Sequence, residues 1–326
     1  MSLTALPDVR PAPLLIGGDS LHRRVMLTPS MCGHNCLFLA QIADWTWQTV
    51  STTCGTAIYR ETNDQGLPAY LSFYYLRTCG SASIQSRQLT FGDELDVVTT
   101  AFNFGTESML TLHRITRLGD AGPSVEPVTL DEFHEHRRPN CLYVEALNRW
   151  VTRSRPTSND ALVRSSPSGI VTAHLPAVPD RYSPRGTYDR ARRLGTFHNP
   201  EEAYETIVDD FTVDYTIDAA RDLNGVGLVF FAAFAVIVDS ALLKLWTRLG
   251  RNVTSFMTRI VRDQRICYTA NAENDSRLRL TLCLWRRRNE PRDEVFNVLV
   301  HDIDRDCRVL VTTLWMQSPE ESHRAS

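Results

Sequence analysis

Met31-Cys32-Gly33-His34-Asn35-Cys36-Leu37-Phe38-Leu39-Ala40-Gln41-Ile42-Ala43-Asp44-Trp45-Thr46-Trp47 is a short polar, glycine-containing segment opening into an apolar helix. Leu37, Phe38, Leu39, Ile42, Ala43 and Trp45 leave so little of that helix polar that it must be buried on nearly every side. The pattern recurs. Asp222-Leu223-Asn224-Gly225 leads into a second apolar helix, Val226 to Trp246, and each copy is followed by alternating strands. Val226 to Val238 is unbroken apolar sequence but falls short of the ~20 residues that a membrane span needs, and Asp239 and Lys244 follow it. Both helices therefore read as buried cores. A curled antiparallel sheet wrapped around a central helix buries such a rod, so the chain reads as an α+β protein built of two hot-dog units, a double hot dog.

Outward from the first helix, Arg24 to Leu27 reads as a short strand before it. Thr49 to Tyr59, rich in β-branched residues, reads as one after it. Asn63-Asp64-Gln65-Gly66 is a hairpin turn into Ala69 to Thr78, whose alternation sets Leu71, Phe73 and Tyr75 on one face. Glu94 to Phe104 and Met109 to Arg117 form a further hairpin. In the second copy, Phe211 to Ala219 precedes the helix, and Arg277 to Trp285 has the cleanest period of two, with Leu278, Leu280, Leu282 and Leu284 inward. Val295 to Ile303 and Cys307 to Leu314 close that sheet. Between about residues 120 and 210 only Leu142 to Thr152 reads as ordered, with Trp150, Tyr182, Tyr188 and Phe197 as anchors of a wrapping connection. The expected organisation is an extended leader over 1–22, a first unit over 23–152, a wrapping linker over 153–210, a second unit over 211–318 and a tail over 319–326.

A composition of 43% hydrophobic and 22% charged residues over 326 positions is that of a globular chain long enough for two cores. The net charge of -3 gives no general basic field, which argues against nucleic acid as a ligand. Lys244 is the sole lysine, so nearly every cation is an arginine. The eight cysteines form no C-x-x-C pair and sit mostly in apolar patterns, as in a reduced, cytoplasmic protein. Cys32, His34 and Cys36 have metal-ligand chemistry, yet no matching second half exists elsewhere, so no metal site is expected.

A buried helix with a polar lead-in offers backbone N–H groups and the positive end of its dipole. Such a start suits a thioester oxygen that gains charge during reaction, and His34 and Asn35 stand there as candidate substrate contacts. Asn35 as a plain helix cap is the alternative. No G-x-S-x-G elbow, P-loop or dinucleotide fingerprint is present, which removes those chemistries.

The run Met31 to Trp47, with Leu71-Ser72-Phe73-Tyr74-Tyr75, Leu89-Thr90-Phe91-Gly92-Asp93, Leu112-His113-Arg114, Asn148-Arg149-Trp150 and Ser165-Ser166-Pro167, resembles the LnmK-type proteins of leinamycin-like polyketide pathways. The resemblance spans most of the chain and is densest in its first two hundred residues. It implies a double hot dog that acts as an acyltransferase/decarboxylase. Such a protein takes methylmalonyl-CoA, releases CO2 and delivers propionyl to the phosphopantetheine thiol of an acyl carrier protein, with no further cofactor. It also implies a catalytic tyrosine in the first unit, best matched by Tyr59, with Tyr70, Tyr74 and Tyr75 as rivals.

A phenol of ordinary pKa near 10 is ionised in only about one molecule in a thousand at pH 7. Tyr59 then acts either as a phenolate nucleophile, if a dipole or cation lowers that value, or as a phenol that serves the enolate left by decarboxylation. Asn35 is the candidate for the enolate oxygen, His113 or Asn148 for the carboxylate. Arg286-Arg287-Arg288 and Arg137-Arg138 are candidate carrier contacts, with solvated surface as the alternative. The second unit, where Gly227 to Val238 carries no polar side chain, is expected to be mainly scaffold. A hot-dog thioesterase or dehydratase, and a non-catalytic thioester-binding module, are the competing functions. Hot-dog sheets pair edge to edge, which leaves a homodimer open.

Overall fold

The computed structural model describes residues 12–31, 35–81, 83–120, 125–156, 158–199 and 203–318, with only the backbone described at 35–37 and 87. The described strands are β1 (Leu14–Ile16), β2 (Ser20–Met26), β3 (Tyr70–Cys79), β4 (Glu94–Asn103), β5 (Ser108–Arg117), β6 (Leu142–Arg153) and β7 (Leu162–Arg164), then β8 (Tyr204–Thr216), β9 (Ile260–Tyr268), β10 (Arg277–Arg287), β11 (Glu290–Asp302) and β12 (Cys307–Gln317). All belong to one antiparallel sheet ordered β1-β2-β4-β5-β6-β3-β9-β12-β11-β10-β8, with β7 paired to β6. Two long helices, α1 (Asn35–Thr53) and α4 (Ala233–Arg248), lie against one face of this sheet and share one apolar core. Three shorter helices, α2 (Leu130–His134), α3 (Arg185–Leu194) and α5 (Val253–Met257), complete the set. The architecture is a double hot dog. None of the described helices is long and apolar enough to cross a membrane.

Several local expectations are corrected. Thr49 to Tyr59 is not a strand. α1 runs on to Thr53 because the Thr49 hydroxyl donates to the Trp45 carbonyl (2.7 Å) and that of Thr53 to the Thr49 carbonyl (2.9 Å), so these polar side chains join the helix. The second helix begins at Ala233, not Val226. The Asn224 side chain accepts from the N–H groups of Val226 and Leu228, and Gly227 takes a φ of 75°, which ties the lead-in into a turn. Leu14 to Ser20 is a hairpin through Gly17 and Gly18, both at positive φ, where an extended leader was expected. The described residues from 125 to 199 are ordered. Its Leu130, Phe133, Tyr182, Tyr188, Ala191 and Phe197 cover the sheet face opposite the long helices, so the expected anchors Tyr182, Tyr188 and Phe197 do hold it down.

One irregularity positions the site. Along β3 the pairing with β6 passes from Phe73↔Asn148 to Tyr75↔Leu147, so Tyr74 is an extra, bulged residue. Leu71 and Phe73 face the helices, whereas Tyr75 turns into the opposite cluster with Tyr188 and Phe197. The expected single face of Leu71, Phe73 and Tyr75 is broken by this bulge. The other edge of β3 pairs with β9 only from Tyr75↔Cys267 to Cys79↔Asp263. Among the described residues Tyr70 to Tyr74 therefore lacks a strand partner on that side, and the sheet parts where the two units meet.

Candidate functional site

A cavity of about 890 Å³ occupies this parting. One wall is the first unit: Asp44 and Trp47 of α1, Tyr59, and β3 from Tyr70 to Tyr74. The other is the second unit, with Asn224 to Val226, Leu228 to Phe231, Phe234 and Tyr268 to Asn271. Phe73 and Phe231 stack across it with ring centroids 4.2 Å apart. Asn271 fixes the second wall, accepting from the Val229 N–H and donating to the Val229 carbonyl, both at 3.1 Å. The second unit is thus half of the cavity rather than scaffold. The start of α4 carries no side-chain cap, and Phe231 and Phe234 bring it to the cavity wall.

Tyr59 sits on a tight turn after α1. The turn is anchored by buried Ile58 and by the Arg60 N–H, which donates to the Ala57 carbonyl at 2.9 Å. The Tyr59 ring is 61% exposed and leans on Trp47 with centroids 5.5 Å apart, while the Trp47 indole N–H donates to the Leu71 carbonyl at 3.0 Å. Partial burial and then the nearby Asp44 carboxylate raise the Tyr59 pKa, and Arg23 only partly opposes them. The ring is therefore held as a phenol, and the lowering that a phenolate nucleophile requires is not found. Asp44 is the sole charged residue of α1, and partial burial raises its pKa as well.

Residues 22–199 match the model of the LnmK N-terminal Hot Dog Fold domain. The chain belongs to this LnmK hot-dog family. No curated protein matches it. Among solved structures, it is similar to an acyl-ACP thioesterase from Bacteroides thetaiotaomicron, at 10% identity and a TM-score of 0.55, covering 91% of this chain and 98% of that one. It is also similar to the 12:0-ACP thioesterase from Umbellularia californica, at 11% identity and a TM-score of 0.56, covering 92% and 94% of the two chains. At such identities the likeness is one of fold.

Within this LnmK-family fold the other expected residues scatter. His34 lies outside the described residues, as do Cys32 and the side chains of Asn35 and Cys36; Asn35 is the first residue of α1. His113 is fully buried under α1 and does not line the cavity. Its Nδ1 is 3.0 Å from the Thr99 hydroxyl and its Nε2 3.1 Å from that of Thr46, and burial pushes its pKa down to about 3. It is a core histidine, out of reach of a substrate carboxylate. Asn148, opposite Phe73 in the register, is also fully buried, and neither its Oδ1 nor its Nδ2 has a hydrogen-bond partner. Its neighbours Ala146 and Trp150 face the helices, so Asn148 points the same way, and it is not among the residues that line the cavity.

Two site features escape the sequence reading. Asp44 announces itself only as a lone acid in an apolar helix. Arg23, 4% exposed and without a carboxylate partner among the described residues, donates to Gln48, Thr99, Thr49 and the Trp45 carbonyl, and burial lowers its pKa to about 10. The expected carrier contacts stand elsewhere. Arg286 pairs with Glu294, Arg287 with Glu290 and Arg138 with Glu126, each at 3.2 Å, and none lines the cavity.

Proposed function

We propose that the chain is an acyltransferase/decarboxylase that converts methylmalonyl-CoA into a propionyl thioester on an acyl carrier protein. The observation that carries this reading is Tyr59: in a chain of the LnmK family, it stands on the wall of the cavity shared by both units. In the proposed reaction the bond to the carboxylate breaks, CO2 leaves, and its electron pair passes into the thioester carbonyl as an enolate. The α-carbon then takes a proton, and the carrier thiol displaces CoA at the carbonyl. No organic cofactor or metal is required, because the thioester itself accepts the electrons.

Kept as a phenol by burial and Asp44, Tyr59 donates a hydrogen bond to the enolate oxygen or a proton to its carbon. One well-placed donor of this kind contributes roughly 3–4 kcal/mol. The positive end of the α4 dipole faces the same cavity, although the N–H groups of Ala233 and Ala235 already donate to the Phe230 and Ala232 carbonyls. The unpartnered amide of Asn148 is the candidate for the carboxylate. The stacked Phe73 and Phe231 keep water from the carbanion.

Incubating the protein with methylmalonyl-CoA and a phosphopantetheinylated carrier, then weighing the carrier, tests the reading. A gain of one propionyl group is expected; unchanged mass with several cognate carriers contradicts it. Asp44 favours a second reading, hydrolysis, in which its carboxylate activates a water beside the thioester. Free acid released without a carrier would select that reading.

A further inference from the structure

The part of the cavity wall around Tyr74, which packs with the cluster on the sheet face opposite the long helices, is built differently. Arg149 on β6 and Arg192 on α3 both line it, flanking the bulged Tyr74. The Arg149 guanidinium lies over the Tyr74 ring, 3.7 Å from its centroid, and donates to the Tyr188 hydroxyl at 3.2 Å. Arg192 is exposed and donates to the Tyr74 hydroxyl at 2.6 Å. A third guanidinium, that of Arg308, donates to the Arg192 carbonyl. Among the described residues neither Arg149 nor Arg192 pairs with a carboxylate, whereas Arg77, Arg114, Arg251 and Arg277 do so elsewhere in this arginine-rich chain. Aromatic rings thus fix two cations at a cavity mouth, with N–H groups left to offer an anion.

We infer that Arg149 and Arg192 form a clamp for the phosphate of a phosphopantetheine arm, whose thiol end reaches inward to Tyr59. The inference rests on the acyl-thioester reading and deepens it. Trp47, against which Tyr59 leans, is bonded at Leu71, and Tyr74 lies three residues on, roughly 10 Å along the strand, a separation within the reach of a phosphopantetheine arm. The two arginines and the phenol line the same cavity. The bulge that frees the β3 edge is also what sets Tyr74 between the two arginines.

Two molecules carry this phosphate, CoA and the modified carrier protein, and binding measurements separate them. The full chain is titrated calorimetrically with pantetheine, 4′-phosphopantetheine, CoA and the phosphopantetheinylated carrier, alongside Arg192→Gln and Arg149→Gln. 4′-Phosphopantetheine is expected to bind roughly tenfold or more tightly than pantetheine, the effect of a charge-assisted hydrogen bond. Arg192→Gln removes most of that preference, with pantetheine as the internal reference. Carrier affinity that falls in step with 4′-phosphopantetheine places the carrier's arm in the clamp; a fall for CoA alone assigns it to CoA. Equal binding of pantetheine and 4′-phosphopantetheine, or a preference that survives Arg192→Gln, overturns the clamp. Arg192 is exposed, so its variant remains informative even if Arg149→Gln fails to fold. Because binding is read without turnover, absence of decarboxylation leaves this result standing, while a chain that binds none of the four ligands loses both readings.

Discussion

α1 and α4 occupy equivalent places in their units but rest on opposite kinds of surface. Beneath α1 lies a polar web in which Arg23, Thr46, Thr49, Thr99 and His113 hydrogen-bond one another, and Asp44 and Tyr59 stand beside it at the cavity. α4 rests on the leucine ladder of β10, Leu278, Leu280, Leu282 and Leu284. Its acid, Asp239, is neutralised by Arg259 at 2.8 Å. Buried polar groups cost stability unless each finds a partner, and under α1 these groups find partners in one another. The difference teaches a division of labour: the first unit presents polar chemistry, and the second closes the cavity with an apolar wall.

The comparison breaks most visibly at the ladder. Leu280→Ala removes a fully buried side chain beneath α4 and is expected to cost about 2–5 kcal/mol in denaturant unfolding; a loss below about 1 kcal/mol would mean that the second unit is not packed as described.

The first unit differs in its response to acid. His113 has a native pKa of about 3 against an ordinary 6.5, so its contribution is fully present above pH 6.5 and is lost as pH falls toward 3. Across that window it withdraws up to roughly 1.4 kcal/mol per pH unit. Urea midpoints at pH 7 and pH 4 should show this slope in the native chain and a shallower one in His113→Leu. Equal slopes would place the acid sensitivity elsewhere.

A smaller effect sharpens the Tyr59 assignment. Asp44 helps to raise the Tyr59 pKa, so activity that needs the phenol persists until pH rises through that raised value. Asp44→Asn should bring the alkaline limb of the rate profile downward, and an unmoved limb would separate the two groups.

The sequence carried the two helices and the leucine ladder, because an all-apolar rod and a strict period of two have few other solutions. β9 stayed hidden. Arg262, Asp263 and Arg265 interrupt its alternation, and the structure tolerates them by pairing Asp263 with Arg77 at 2.7 Å and with Arg265 at 3.1 Å. Thr49 to Thr53 misled because threonine favours strands on average, while its hydroxyl can equally bond back along a helix. The cavity was legible only as a place between units. Its Tyr74 bulge is a one-residue slip with no compositional mark, and Arg149 and Arg192 look like any other arginine until the rings that hold them are seen.

The central claim is that a phenol on the first unit's side of a shared cavity drives acyl-thioester chemistry. Tyr59→Phe removes that hydroxyl and keeps the ring against Trp47, so folding should be untouched. With methylmalonyl-CoA and a modified carrier, CO2 release and acyl delivery measured separately are predicted to fall together by at least about a hundredfold, with an unchanged unfolding midpoint. A folded Tyr59→Phe protein that releases CO2 and loads the carrier at the native rate would contradict the account.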